Sequence, residues 1–186
     1  MLERLIAYYC ALALAGIKPA NIASCSKKQF PNLNSGLEKL NGELNRKDIF
    51  IEILCECEKR ALLIVYRRNI LERHLSRRCN KDFLKQCGYP EEGTAAEYLT
   101  VLSAKLRGSG FPHEIGVFLG YPLCDIYGFI NHRDKGCLLV GEWKVYHNAD
   151  EAENISHFFL CHSLGFSVFC QKNSAFVKIH FSTSAL

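Results

Sequence analysis

The chemistry-bearing residues of this chain concentrate between Phe111 and Ile130. His113 and Glu114 stand side by side, a tight turn follows at Gly120-Tyr121-Pro122, and Asp125 lies just beyond it. An imidazole beside a carboxylate can pass a proton near neutral pH, which makes His113, Glu114 and Asp125 the catalytic candidates. The turn suggests binding instead. Gly120 permits a sharp reversal, and Pro122 suits the first position of a helix whose leading amides, Leu123 and Cys124, lack intrahelical acceptors. Such amides, with the helix dipole behind them, attract anions. The Tyr121 ring would wall the pocket, while Lys144 and Lys18 could add positive charge. The bland alternative is a packing turn with His113 as a loop residue. Glu114 to Leu119 reads as a short apolar strand, which would hold His113 and Glu114 roughly 20 Å from the turn.

Other sets of residues have suggestive spacing. Glu142, Lys144 and Tyr146 share one face if Cys137 to Tyr146 is a single strand, and could bind a polar ligand or form a solvated ion pair. His157 and Cys161 lie four apart on a predicted helix, a spacing that puts two metal ligands on one face. No second close pair completes a structural zinc site, so no metal is assigned. Cys55 and Cys57 share a strand face, although one intervening residue is poor disulfide geometry. None of the thiols has an evident activating neighbour in sequence. A basic run, from Arg60 through Arg67, Arg68, Arg73, Arg77 and Arg78 to Lys81, would put Arg73, Arg77 and Lys81 on one helix face. That face could meet an acidic partner or simply be solvated. Without interleaved exposed aromatics, it is a poor nucleic-acid surface.

Composition bounds these readings. A chain of 186 residues, 48% apolar and 23% charged, can bury a core without staples. The net charge of +4 is too small to imply nucleic acid. Ten irregularly spaced cysteines in so large a domain fit a reducing, cytoplasmic setting, as free and mostly buried thiols. Ile22-Ala23-Ser24-Cys25 imitates a lipoprotein cleavage box, but Lys18-Pro19-Ala20-Asn21 interrupts the apolar run before it. No stretch reaches the ~20 apolar residues of a membrane span.

The elements that must position these residues follow from periodicity. One helix is expected over Leu2 to Leu14, ended by Gly16, and another after Ser35, which forms a capping-box pattern with Glu38. Ile49 to Cys57 and Ala61 to Tyr66 form an antiparallel hairpin, the second strand apolar on both faces and therefore central. Ile49, Ile51, Ile53 and Cys55 are expected on one face of the first strand. Asn69 to Gly88 reads as two short helices broken near Asn80. Thr94 and Glu97 make a second capping box, opening a helix through Arg107. After the turn a helix runs to about Asn131. Asn148 caps a further helix, and Phe166 to Phe181 alternates like a hairpin. The sum is a single α+β domain over residues 1–186, with a partly antiparallel sheet of about four to six strands covered by helices and the placement of residues 165–186 left open.

Three blocks resemble a known family. They are Leu14-Ala15-Gly16-Ile17-Lys18-Pro19-Ala20-Asn21, then His113 through Leu123 with Asp125 and Gly128-Phe129-Ile130, and Trp143-Lys144-Val145-Tyr146. Together these resemble the domain of unknown function 3793 family of bacterial proteins, over about the first helix to residue 162. Where that pattern carries His-Cys-Ala-Pro, this chain has Tyr9-Cys10-Ala11-Leu12, so no histidine role transfers there. The tail after Leu164 does not follow the pattern. The resemblance implies a soluble protein and supplies no activity or cofactor. The expected function is binding of a small polar or anionic ligand at the strand-to-helix turn. The alternatives are a protein-interaction or regulatory subunit using the basic helix, and an enzyme using His113-Glu114 or a thiol.

Overall fold

A computed structural model describes residues 1–108, 110–133, 135–140 and 143–147. The chain folds as two compact units, Met1–Ile126 and Tyr127–Leu186. The α+β class expected from the sequence is borne out, with five described strands divided between a three-stranded and a two-stranded antiparallel sheet.

In the first unit, α1 (Leu2–Tyr9) and α2 (Ala11–Leu14) replace the single expected helix. The backbone leaves helical geometry at Cys10, with φ −118° and ψ 18°. Gly16 closes the segment at φ +76°, the left-handed conformation that favours glycine. Strand β1 (Ala20–Ser26) follows, and it includes Ile22-Ala23-Ser24-Cys25, with Ala23 and Cys25 buried. Helix α3 (Leu33–Leu44) begins after Asn32, so Ser35 lies within its first turn and caps nothing. A 3-10 turn (Asn45–Lys47) leads into β2 (Ile49–Glu56) and β3 (Arg60–Arg67). Both the hairpin and the central position of β3 agree with the sequence: the sheet order is β1-β3-β2, antiparallel throughout.

Alternation along β3 explains why it must be central. Ala61, Leu63 and Val65 pack on one side with Leu2, Ile6, Leu33 and Leu37 from α1 and α3. Ile64 and Tyr66 face the larger core with Leu71, Phe83, Leu99, Leu102 and Phe118. A strand buried on both faces has no polar side to show water. The outer edge of β2 is covered locally. The Asn41 side chain donates to the Ile51 carbonyl at 2.8 Å and accepts from its amide at 3.0 Å, standing in for a neighbouring strand.

The expected face of β2 is corrected at its far end. The register shifts between Ile53 and Cys55, leaving Leu54 as a bulged extra residue. The inserted residue inverts the alternation, so Cys55 comes opposite Leu62 rather than continuing the Ile49-Ile51-Ile53 series.

The helices of the larger core are α4 (Arg68–Leu75), α5 (Arg78–Gln86), α6 (Ala95–Leu106) and α7 (Ile115–Phe118). The break between α4 and α5 falls at Ser76 and Arg77, earlier than expected, and Asn80 is buried inside α5. The Thr94–Glu97 capping box is present in both directions. Helix α8 (Leu123–His132) comes last.

In the second unit, the long expected strand is instead a short hairpin. Strands β4 (Leu139–Val140) and β5 (Lys144–Val145) pair antiparallel, Leu139 opposite Val145. The expected single strand from Cys137 to Tyr146 is therefore not formed, and Tyr146 lies past the end of β5; Glu142 lies outside the described residues. Gly128 lies against Tyr146, where a Cβ would stand 2.4 Å from the ring carbon Cγ. The Tyr146 hydroxyl donates to the Arg133 carbonyl. The helix expected after Asn148, with His157 and Cys161, and the tail hairpin lie outside the described residues.

Candidate functional site

The segment expected as the signature strand is a single helical turn. Ile115, Gly116, Val117 and Phe118 are all buried. A short run apolar on every side has no period to distinguish strand from helix, and tertiary packing decides. Gly116 shows how: a Cβ there would meet Ile126 at 3.1 Å and the Tyr121 ring at 3.3 Å. The turn closes when the Gly120 amide donates to the Val117 carbonyl (3.0 Å) and the Tyr121 amide to that of Gly116 (2.9 Å). Gly120 takes φ +79°. Because a helix rises only ~1.5 Å per residue, Glu114 lies on the order of 9 Å along the chain axis from Gly120, not 20 Å.

Pro122 precedes α8 rather than occupying its first position. Its carbonyl accepts from the Asp125 and Ile126 amides, both at 3.1 Å, so it serves as the N-cap residue. Tyr121, Pro122 and Leu123 are half-buried, Cys124 is exposed, and Asp125 is buried.

The tertiary structure brings the first motif block onto this turn. Lys18 is only 2% exposed, and its Nζ lies 5.0 Å from the Tyr121 ring centroid. Pro19 packs so closely on Gly120 that a Cβ at position 120 would sit 2.8 Å from Pro19 Cδ. In the same block, Asn21 Oδ1 accepts the Ala13 amide at 3.0 Å. Lys18, Gly120, Tyr121 and Pro122 thus belong to one locality of the first unit. Lys144 belongs to the second unit, where its Nζ lies 5.5 Å from the Phe129 ring.

The proton-transfer candidates have a different setting. Glu114 is buried and accepts from Lys105 Nζ at 2.7 Å and from the Tyr89 hydroxyl at 3.4 Å. Lys105 also donates to the Cys87 carbonyl at 2.5 Å and lies 5.0 Å from the Tyr89 ring. Burial, then the Glu114 charge, pushes the Tyr89 hydroxyl above the ordinary phenol range. The same two causes, in the same order, raise the Cys87 thiol, against an opposing pull from Lys105. Neither group is activated for chemistry, and this cluster ties the α5–α6 region to the start of α7. Sequence reasoning missed Lys105, Tyr89 and Cys87 because they come from separate segments with no motif between them. His113 is half-buried, with Nδ1 inside the protein.

His74 and Asn80 form another unanticipated tie. Asn80 Nδ2 donates to the His74 carbonyl at 2.8 Å and lies 3.2 Å from Nε2, while the imidazole also bonds the Val117 backbone. Burial is the main cause lowering the His74 pKa, and Arg77 adds to it.

The basic run does not make the expected surface. Arg73 lies in the last turn of α4, Arg77 is the N-cap of α5 and Lys81 lies within α5, so no one helix aligns the three. Arg67 is committed to the Leu14 and Lys47 carbonyls, Arg60 to Ser24, and Arg68 stacks on Phe50 at 3.9 Å. Lys81 pairs with Glu92 at 3.4 Å beside a cleft of about 150 Å³. Another acid of that cleft, Glu72, accepts the Ala95 amide at 3.2 Å, so its polar groups serve the α6 terminus.

The eight described cysteines form no disulfide, as expected, but the expectation of mostly buried thiols is corrected. Only Cys10 and Cys25 are buried, while Cys57, Cys79 and Cys124 are exposed. Burial pushes the Cys10 thiol up to about 12. Cys57 does have activating neighbours, the Lys59 and Arg60 amides of the β2–β3 turn, which lower its pKa. Only the closed hairpin brings those amides to the sulfur.

Among the described residues no helix is long and apolar enough to cross a membrane. No curated protein and no solved structure matches the chain significantly. A family model does match, over residues 6–179. The match runs beyond Leu164, so the tail expected to diverge is part of the family pattern after all. With nearly its whole length covered, the chain belongs to the DUF3793 family, proteins of unknown function.

Proposed function

We propose that this protein binds a small polar or anionic ligand at the turn from α7 to α8, around Gly120, Tyr121, Pro122, Leu123 and Cys124. The observation that carries the reading is the convergence of Lys18 and Pro19 on Gly120 and Tyr121, residues roughly a hundred positions away in sequence. An ammonium in a 2% exposed position makes the local potential positive, and little water screens it. The start of α8 adds the positive end of a helix dipole beside it, and the exposed Cys124 leaves an approach from solvent. Tyr121, half-buried, supplies the wall. No proton transfer is assigned, since Glu114 is committed to Lys105.

The test is anion-induced thermal stabilisation of the full chain, with inorganic phosphate and small dicarboxylates as probes. Cys124→Asp places a carboxylate where the ligand would sit, at an exposed position that tolerates it. The variant should fold with unchanged or slightly raised stability, because an acid in a first helical turn is favourable by about 0.3–1 kcal/mol. It should lose the stabilisation that wild type gains from the probes. Equal stabilisation of both proteins, or none of wild type, would reject the site.

A further inference from the structure

The β2–β3 turn carries a second feature, independent of the ligand site. Cys55 stands opposite Leu62, and the Cys57 amide donates to the Arg60 carbonyl at 2.8 Å, so pairing continues past the bulge without another slip. Residues two apart on one strand point to the same side, about 7 Å apart at their Cβ atoms. That is too far for a disulfide, which needs roughly 3.5–4.5 Å. It suits two sulfurs bridged through one ion. Metal–sulfur bonds of about 2.3 Å place the sulfurs of a linear S–metal–S unit some 4.6 Å apart, reached when each side chain leans inward by about 1 Å.

We propose that Cys55 and Cys57 form a two-thiolate site for a soft monovalent cation such as copper(I). Binding releases two thiol protons to solvent, forms two metal–sulfur bonds and transfers no electrons. Softness selects the ion, because paired thiolates without oxygen or imidazole partners favour soft closed-shell metals. The product, one positive ion with two thiolates, carries a net negative charge, and the surroundings complement it. The Arg107 guanidinium acts on Cys55, the Lys27 ammonium acts on Cys57, and the Lys59 and Arg60 amides point at the Cys57 sulfur. Lys27 is shared with Glu56 at 2.8 Å, and Arg107 donates to the Ser103 hydroxyl at 2.7 Å. Cys57 is exposed and Cys55 half-buried, so an ion can enter from solvent and settle against the strand.

The experiment is anaerobic competition for copper(I) between the reduced full chain and a chromophoric chelator, comparing wild type with C55S, C57S and C79S. The tightest equivalent should weaken at least a hundredfold in C55S and in C57S and stay unchanged in C79S. X-ray absorption of the one-equivalent complex should show a shell of two sulfurs. Unchanged affinity in C57S, loss in C79S, or a shell of three or more sulfurs would overturn the assignment. Circular dichroism checks folding; should C55S unfold, the exposed C57S position decides alone.

Discussion

Replacing Lys105 by Met isolates the buried carboxylate of Glu114, and the structure sets the size of the effect. Glu114 is 8% exposed, its shortest hydrogen bond is the 2.7 Å contact from Lys105, and its other partner is the 3.4 Å contact from Tyr89. Breaking a buried ion pair by removing one member costs about 3–5 kcal/mol, because the remaining charge stays buried without compensation. The Lys105 side chain is 34% exposed, so water can replace part of the lost partner and the lower end applies, about 3 kcal/mol. For a chain of this size that lowers the melting midpoint by roughly 6–12 °C. The informative comparison is the double variant K105M/E114L. With both charges gone, the desolvation penalty disappears too, and what remains lost is the bond from Lys105 to the Cys87 carbonyl and the one from the Tyr89 hydroxyl to Glu114, about 1 kcal/mol each. Chemical denaturation of wild type, K105M, E114L and the double variant closes the cycle, with an expected coupling of about 2 kcal/mol. A K105M variant within 1 kcal/mol of wild type, or strictly additive variants, would refute the view that this pair holds α7 in place.

Two further outcomes follow from the same geometry. Stability should fall as pH drops below about 6.5, the ordinary histidine value, since the folded state holds His74 below it and the unfolded chain binds the extra proton first. The contribution is fully present above that pH and is lost progressively on acidification toward the lowered folded value; denaturant titrations between pH 7.5 and 5 should show the slope in wild type and not in His74→Gln, and an unchanged slope would remove His74 from the explanation. Gly120→Ala should cost about 2–4 kcal/mol, from a left-handed backbone and a Cβ 2.8 Å from Pro19 Cδ, whereas Gly42→Ala, with no atom within 4 Å, should stabilise α3 by about 0.5–1 kcal/mol; equal melting shifts for the two would show that the Pro19 contact is not rigid.

Local chemistry by itself determined the elements whose signals lie within a few residues. The Thr94–Glu97 box opens α6 because both capping partners are three positions apart, and Ala61 to Tyr66 had to be central because neither face offers polar groups to water. The turn at Gly120 was legible for the same reason. Tertiary structure decided what depends on distant partners. Ile115 to Phe118 became helical because Gly116 lets Ile126 and Tyr121 pack against it, a contact no periodicity encodes. Cys55 changed face through a one-residue bulge, which alternation cannot anticipate. The meeting of Lys18 with Tyr121, and of Lys105 with Glu114, required the sheet and its helices to close first. Side chains near in sequence share geometry through the backbone, whereas those far apart meet only where the core packs them.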